Sequence, residues 1–248
     1  MCALMLAASG CKKDEKVKAS SNTALSPVTA LSPDMLPIKN AGTVKELVPA
    51  IYCEFTDEQW AEVLPDIASA IKHKNPDAEL LLRQGTGVSI MRTRIMCWNK
   101  LREFSVFPND EEKNLVLGVV LEVTQKGGTD YLAAWADNNA VYYNYGGYDI
   151  LYDLRSSEVN RKIQTLIANA QNITPAIALL EGARPADVPP EGSVRINIIT
   201  PAGIRSITGD MNALSENGLT DSVVSQGIVV MTGITDYARE LSQQAESE

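Results

Sequence analysis

Four strand-like segments separated by very short turns constrain the fold of this 248-residue chain more than any other feature. Each is rich in β-branched and aromatic residues, which favour strands. The turns between them, KGG, NN and GG, contain two or three residues. Connections this short join antiparallel neighbours, because a parallel pair needs a crossover of a dozen residues or more. A four-stranded antiparallel meander is therefore predicted from NLVLGVVLEVT, TDYLAAWAD, AVYYNY and YDILYD.

Helical patterns precede the meander. TDEQ at residues 56–59 is a capping box, in which Thr56 and Gln59 each bond the other's backbone amide, and apolar residues follow at helical spacing. Pro65 interrupts this pattern, so we expect a kink there or a new helix beginning at that residue. NPDAELLLRQG, with Asn75 as its cap, predicts a further helix, whereas residues 88–107 fit a helix or a strand.

After the meander, Ser156 or Ser157 caps another helix. A Pro- and Gly-rich connector at 181–193 then leads to a hairpin and a long closing helix. The predicted fold class is α+β, with an antiparallel sheet made of the four-stranded meander plus the hairpin, and helices packed on it. We expect one globular domain over residues 43–248, in which the connector marks a candidate sub-boundary.

The start of the chain has a different composition. Residues 11–42 contain a repeated TALSP and three prolines, a pattern that favours an extended, solvated tether. Before it, an apolar stretch at residues 3–8 leads to Ser9, Gly10 and Cys11. Residues 1–10 therefore fit the end of a signal peptide.

The residues around Cys11 resemble the lipobox of bacterial lipoproteins, Leu-(Ala/Ser)-(Gly/Ala)-Cys, with Ala8 in place of the usual Leu. In that family the cysteine is acylated and becomes the first residue of the mature protein. The resemblance implies lipidation at Cys11, with palmitate as a labelling probe, and a membrane partner in the bacterial cell envelope, at the outer membrane. The following KKDE resembles the signal that sends some Bacteroidetes lipoproteins to the cell surface.

Charge and motifs exclude several functional classes. A net charge of −9 argues against nucleic-acid binding, which needs a basic face to neutralise phosphates. The single histidine, His73, lies between two lysines, a context typical of a solvated helix face rather than of a buried general base. The sequence contains no zinc-protease motif, nucleophile elbow or Walker loop, and predicts neither a metal site nor a cofactor.

Cys53 and Cys97 lie far apart in sequence, without the paired spacing of zinc ligands. In an oxidising compartment they could form a disulfide. The alternative is two buried thiols, which we favour because neither residue lies in the turn-rich context of a disulfide-stapled fold.

Two sets of residues in the meander are candidates for function. Four aspartates are predicted at strand ends, where two of them could form an acid/base pair or a calcium site, although Asp is also common in turns. Aromatic residues are concentrated in the same segment, and Trp135, Tyr143 and Tyr145 form a candidate binding surface for a protein, a peptide or a glycan. Cross-strand pairing that stabilises the sheet is the alternative explanation. The aspartates are Asp130, Asp137, Asp149 and Asp153.

Residues 115–155 also resemble a strand–turn–strand segment found in a group of uncharacterised bacterial proteins, which implies a shared fold and no particular activity.

We expect a lipid-anchored cell-envelope protein that acts as a binding or scaffold module and is not an enzyme. Two alternatives stay open at this point: an envelope hydrolase that uses strand-end carboxylates, and a soluble cytosolic scaffold without lipidation.

Overall fold

The computed structural model describes residues 35–74, 77–152 and 154–246. Within this part of the chain, six strands form one sheet and helices precede, interrupt and follow them. The strands are β1 (Gly118–Gln125), β2 (Gly128–Trp135), β3 (Ala140–Asn144), β4 (Tyr148–Tyr152), β5 (Ser193–Thr200) and β6 (Gly203–Asp210). The helices are α1 (Leu36–Lys39), α2 (Val44–Ile51), α3 (Asp57–Val63), α4 (Pro65–Lys72), α5 (Ala78–Gly85), α6 (Met91–Glu103), α7 (Ser157–Ile173), α8 (Met211–Glu216) and α9 (Asp221–Glu246).

The strand order is β4-β3-β2-β1-β5-β6, and all neighbouring strands are antiparallel. The predicted α+β fold, a meander plus a hairpin, is therefore confirmed. The hairpin joins the meander at β1, where Gly118 lies opposite Ile199 and Val123 lies opposite Val194. Because β5 pairs with β1 inside one sheet, the connector at 181–193 does not separate two sheets.

Helices cover both faces of this sheet. Side chains alternate along β1, so Val120 belongs to the core beneath α2–α6, while Leu121 belongs to the core beneath α7 and α9. Burial on both faces explains why β1 and β2 are buried along nearly their whole length rather than at alternate positions.

The packed domain begins earlier than predicted. Met35 and Ile38 are buried in the core beneath α2–α6, and the Arg92 guanidinium donates to the Met35 sulfur at 3.2 Å. Residues 35–42 therefore do not belong to a solvated tether, because one short turn of helix places two apolar side chains in the core. The rest of the predicted tether, and Cys11 with it, lies outside the described residues.

The local predictions for the first helices agree with the structure. Both bonds of the capping box form, at 2.9 Å from the Thr56 amide to Gln59 Oε1 and at 3.3 Å from the Gln59 amide to Thr56 Oγ1. One helix ends at Val63 and the next begins at Pro65. The ambiguous segment 88–107 contains helix α6, and the predicted cap Asn75 lies outside the described residues.

No helix in the described ranges is both long enough and apolar enough to cross a membrane.

Candidate functional site

A cluster of buried and partly buried polar side chains lies on the face of the sheet that α2–α6 cover. We call it the polar centre and define it as Tyr52, Glu122, Arg195, Asn197 and Ser206. Glu122 on β1 and Arg195 on β5 are directly opposite each other and are only 3% and 5% exposed. Arg195 Nη1 donates to Glu122 Oε2 at 3.0 Å. A buried ion pair therefore lies in the middle of the sheet.

Neutral groups complete the hydrogen bonding of this pair. Glu122 Oε1 accepts from the Tyr52 hydroxyl at 2.6 Å and from Asn197 Nδ2 at 3.0 Å. Ser206 Oγ donates to Asn197 Oδ1 at 2.8 Å. Arg195 also donates to the carbonyl of Asp187 in the connector, at 2.8 Å. Both charges are thus compensated, as burial of an ion pair requires.

The end of helix α2 positions Tyr52. The Glu54 amide donates to the Pro49 carbonyl at 2.9 Å and the Cys53 amide donates to the Ala50 carbonyl at 3.1 Å, which is the Schellman pattern of a helix C-terminus. Cys53 occupies the left-handed position of this motif, with φ at 57°, where glycine is more common. The sharp reversal directs Tyr52 into the polar centre and brings Glu54 to the surface.

Burial and the Glu122 carboxylate raise the pKa of Tyr52 well above its ordinary value of 10.0. The same two causes raise the pKa of Tyr131, which lies beside Glu122 on β2. Both phenols therefore stay neutral at physiological pH. Tyr52 acts as a hydrogen-bond donor to Glu122 rather than as a base.

A cleft with a volume of about 530 Å³ opens beside the polar centre. Its walls come from the α2–α3 turn, the second half of α6, the start of the connector and the β5–β6 turn. The lining side chains are both apolar and charged. They include Tyr52, Phe55, Trp60, Asn99, Lys100, Arg102, Glu103, Leu180, Arg184, Ile199, Ala202 and Ile204.

Ion pairs hold two of the cationic side chains at this cleft. Arg184 binds Glu54 through two bonds of 2.9 and 3.0 Å, and its guanidinium lies 4.7 Å from the centre of the Tyr52 ring. Lys100 Nζ lies 2.7 Å from Glu103 Oε2. The Arg184–Glu54 pair ties the connector to the end of α2, 130 residues away in sequence.

Arg102 differs from the other two cations because neutral groups hold it. It donates to Asn99 Oδ1 at 2.5 Å and to the Pro201 carbonyl at 2.7 Å. Asn99 in turn donates to the Cys53 carbonyl at 3.2 Å, which fixes the amide. Burial lowers the pKa of Arg102, and the nearby Glu103 raises it in part.

Of the predicted binding surface, Trp135 is fully buried, so its assignment to an exposed face is wrong. The reason is that helices cover the face of β2 on which it lies, and the Arg92 guanidinium is 5.2 Å from its ring centre. Tyr143 is partly buried, with its ring 6.4 Å from that of Tyr131 on the neighbouring strand. This is the cross-strand pairing that the alternative explanation predicted.

Tyr145 remains 46% exposed, but it also has a local packing role. A Cβ atom on Gly128 would lie 2.6 Å from the Tyr145 Cβ, so the tyrosine covers the glycines of the β1–β2 turn. Tyr148 is the most exposed aromatic of the described meander.

The strand-end aspartates do not converge. Asp130 accepts from the Tyr145 amide at 2.9 Å and the Tyr142 hydroxyl at 3.0 Å, while Asp137, at the other end of β2, accepts from the Met91 amide at 2.8 Å. Asp137 thus satisfies the N-terminus of α6, where negative charge is favourable. The strand register puts Asp149 on the opposite face of the sheet from Asp130. Asp153 lies outside the described residues.

Cys53 and Cys97 are both buried, and no disulfide joins them in the described structure. The Cys97 sulfur packs against Gly85, and burial raises the pKa of this thiol to about 12. Two buried thiols were the favoured alternative. Within the described ranges, no group of three or more His, Cys, Asp or Glu side chains is arranged to hold a metal ion.

Sequence reasoning missed the polar centre and the cleft. A signal was available, because Glu122 interrupts the apolar run LVLGVVLEV, and Arg195 and Asn197 occupy alternate positions of VRINIIT. Polar residues at alternate positions of an otherwise apolar strand lie on one face. Two such strands that pair with each other place those residues together.

Comparisons with protein-family models, with curated proteins and with solved structures returned no match.

Proposed function

We propose that this chain is a binding module attached to the bacterial outer membrane through lipid on Cys11, and that its ligand occupies the cleft beside the polar centre. The cleft carries this proposal. It combines aromatic and aliphatic side chains with several charged and polar groups that hydrogen bonds hold in place, and its volume of about 530 Å³ lies in the range of small-molecule sites.

The polar centre supports the cleft by fixing one of its walls, at Tyr52. Tyr52 lines the cleft and also donates to Glu122, so the buried ion pair holds one wall in place. Side chains fixed by a second layer of hydrogen bonds keep a site in its binding geometry. Binding rather than hydrolysis is favoured because Asp130 and Asp137 already accept structural hydrogen bonds at opposite ends of β2.

The cleft is tested by native mass spectrometry of the full chain purified from its own envelope. The variant Ala202→Trp fills the mouth of the cleft from the β5–β6 turn, and Ala213→Trp on the exposed side of α8 is the matched control. We expect a bound mass in the wild type and in Ala213→Trp, and its loss in Ala202→Trp. A wild type without bound mass, or the same mass in all three proteins, contradicts the proposal.

The anchor is tested by growing cells with a clickable palmitate analogue and expressing the chain with its native start. We expect incorporation in the wild type and its loss in Cys11→Ala. Cys2→Ala is the matched control, because this cysteine lies in the segment that a signal peptidase would remove. Failure of the wild type to incorporate the label contradicts the anchored proposal and favours the unlipidated scaffold.

A further inference from the structure

We infer that the ligand of the cleft is a small monoanion, a carboxylate attached to an apolar body, and that Arg102 binds the carboxylate. This inference rests on the proposed function and specifies its ligand.

The charge balance of the cleft is positive although the chain as a whole carries −9. Three cations line it, Lys100, Arg102 and Arg184, against the two carboxylates Glu54 and Glu103. Glu54 pairs with Arg184, and Glu103 pairs with Lys100. Within the described residues, no carboxylate lies at hydrogen-bond distance from Arg102, so its positive charge is not balanced by an ion pair.

The guanidinium of Arg102 is also preorganised to bind an anion. Its two bonds, to Asn99 and to the Pro201 carbonyl, use two of the five N–H donors of a guanidinium and hold the plane of the group. The remaining donors belong to a rigid fork that matches a carboxylate. Because the group is partly buried, its charge acts on a ligand more strongly than an exposed charge would.

One part of the cleft lining is suited to apolar atoms. Trp60 and Ile199 are buried in its walls, and Phe55, Leu180 and Ile204 line it from three separate segments. Polar ligand groups that lay against these five side chains would lose their hydration without replacing it. The carboxylate therefore belongs to a molecule whose other end is hydrocarbon or aromatic.

The two cleft glutamates limit the ligand to a single negative charge. Glu54 and Glu103 line the same space, and a second charge on the ligand would approach one of them. Like charges at short range in a partly buried site are unfavourable. A monocarboxylate is thus preferred to a phosphate dianion.

The inference is tested by residue-resolved NMR titrations of the full chain with two anions and their neutral counterparts. The pairs are octanoate with 1-octanol, and N-acetylphenylalanine with its amide. We expect at least one anion to bind about tenfold or more tightly than its neutral counterpart, as a charge-assisted hydrogen bond to arginine predicts. The preferred anion distinguishes a fatty acid from a peptide-like carboxylate as the source.

Variants assign the effect to Arg102. Arg102→Met should remove the preference for the anion and leave the affinity of the neutral compound unchanged, while Arg239→Met, at an exposed position on α9, should change neither. Because Arg102 also bonds Pro201, Ala202→Trp provides a second variant that retains the arginine and should abolish binding of both compounds.

Three results overturn the inference: neither anion binds, the anion and its neutral counterpart bind equally, or Arg102→Met keeps the preference. These are distinguishable from failure of the proposed function. If native mass spectrometry finds a neutral or cationic molecule in the cleft, the proposed binding function stands and the inference that the ligand is a carboxylate is wrong. If the cleft is empty in the wild type, the binding function itself fails.

Discussion

Removal of the Glu122 charge tests the importance of the polar centre for the fold. In the wild type, the Glu122 carboxylate lies 3.0 Å from Arg195, which is only 5% exposed. In Glu122→Gln the side chain keeps its shape but loses its charge, so Arg195 is left as a buried cation without a carboxylate partner. Breaking one partner of a buried ion pair costs about 3–5 kcal/mol. We therefore expect the free energy of unfolding to fall by about 3–5 kcal/mol.

A double-mutant cycle isolates the interaction of the pair. Arg195→Met leaves Glu122 buried with neutral donors only, so it should be similarly destabilising. The double variant removes both charges, and its cost should fall short of the sum of the singles by about 0.5–3 kcal/mol. Urea unfolding followed by circular dichroism gives the unfolding free energies of all four proteins, the wild type, the two single variants and the double variant, by linear extrapolation.

The control is an exposed ion pair of the same type. Arg239 and Asp236 on α9 are 63% and 52% exposed and lie 2.9 Å apart. Asp236→Asn should cost less than about 1 kcal/mol, because solvent screens such pairs. If Glu122→Gln costs no more than this control, the buried pair is not important for stability and the reasoning is refuted.

Three further predictions concern stability. Gly227→Ala should destabilise the fold by about 1–3 kcal/mol, because a Cβ there would overlap the Leu121 side chain. Gly233→Ala on the same helix meets only a flexible lysine side chain and should be neutral or stabilising by up to about 1 kcal/mol. Thermal unfolding compares the two variants, and equal effects would contradict the packing of Gly227 against Leu121. Burial raises the pKa of Cys97 from 9.0 to about 12, so the folded state retains the thiol proton while the unfolded state releases it. The contribution of Cys97 to the free energy of unfolding should then be constant below pH 9 and fall by about 1.4 kcal/mol per pH unit between pH 9 and 12. Urea titrations at several pH values measure this slope, which Cys97→Ala should reduce. An unchanged slope in the variant would exclude the Cys97 thiol as its cause. Thr56→Ala removes the capping bond of α3 and should cost about 1 kcal/mol in the same assay, with no loss as the contradicting result.

Local features of the sequence predicted much of the fold. The meander follows from turns too short for any other connection, and the helix break follows from Pro65, because both depend on neighbouring residues alone. The start of the domain was misplaced for the opposite reason. Met35 lies in a Pro-rich context that favours extended chain, and only the distant core explains its burial.

The candidate site was harder to predict because it joins residues that are distant in sequence. Tyr52 and Asn197 are 145 residues apart and 2.6 Å apart in space. Each resembles an ordinary residue in its own segment. Trp135 was misassigned because alternation along a strand shows which residues share a face, while the helices that cover that face are encoded elsewhere.

The central claim is that the ligand binds in the cleft and contacts Arg102. The most direct test is a crystal structure of the full chain, purified from the cells that produce it, with the molecule that accompanies it. We expect ligand density in the cleft, with a carboxylate at hydrogen-bond distance from the Arg102 guanidinium and an apolar body against Trp60. Ligand density on the exposed Tyr145 and Tyr148 side chains, with an empty cleft, would contradict the proposed site.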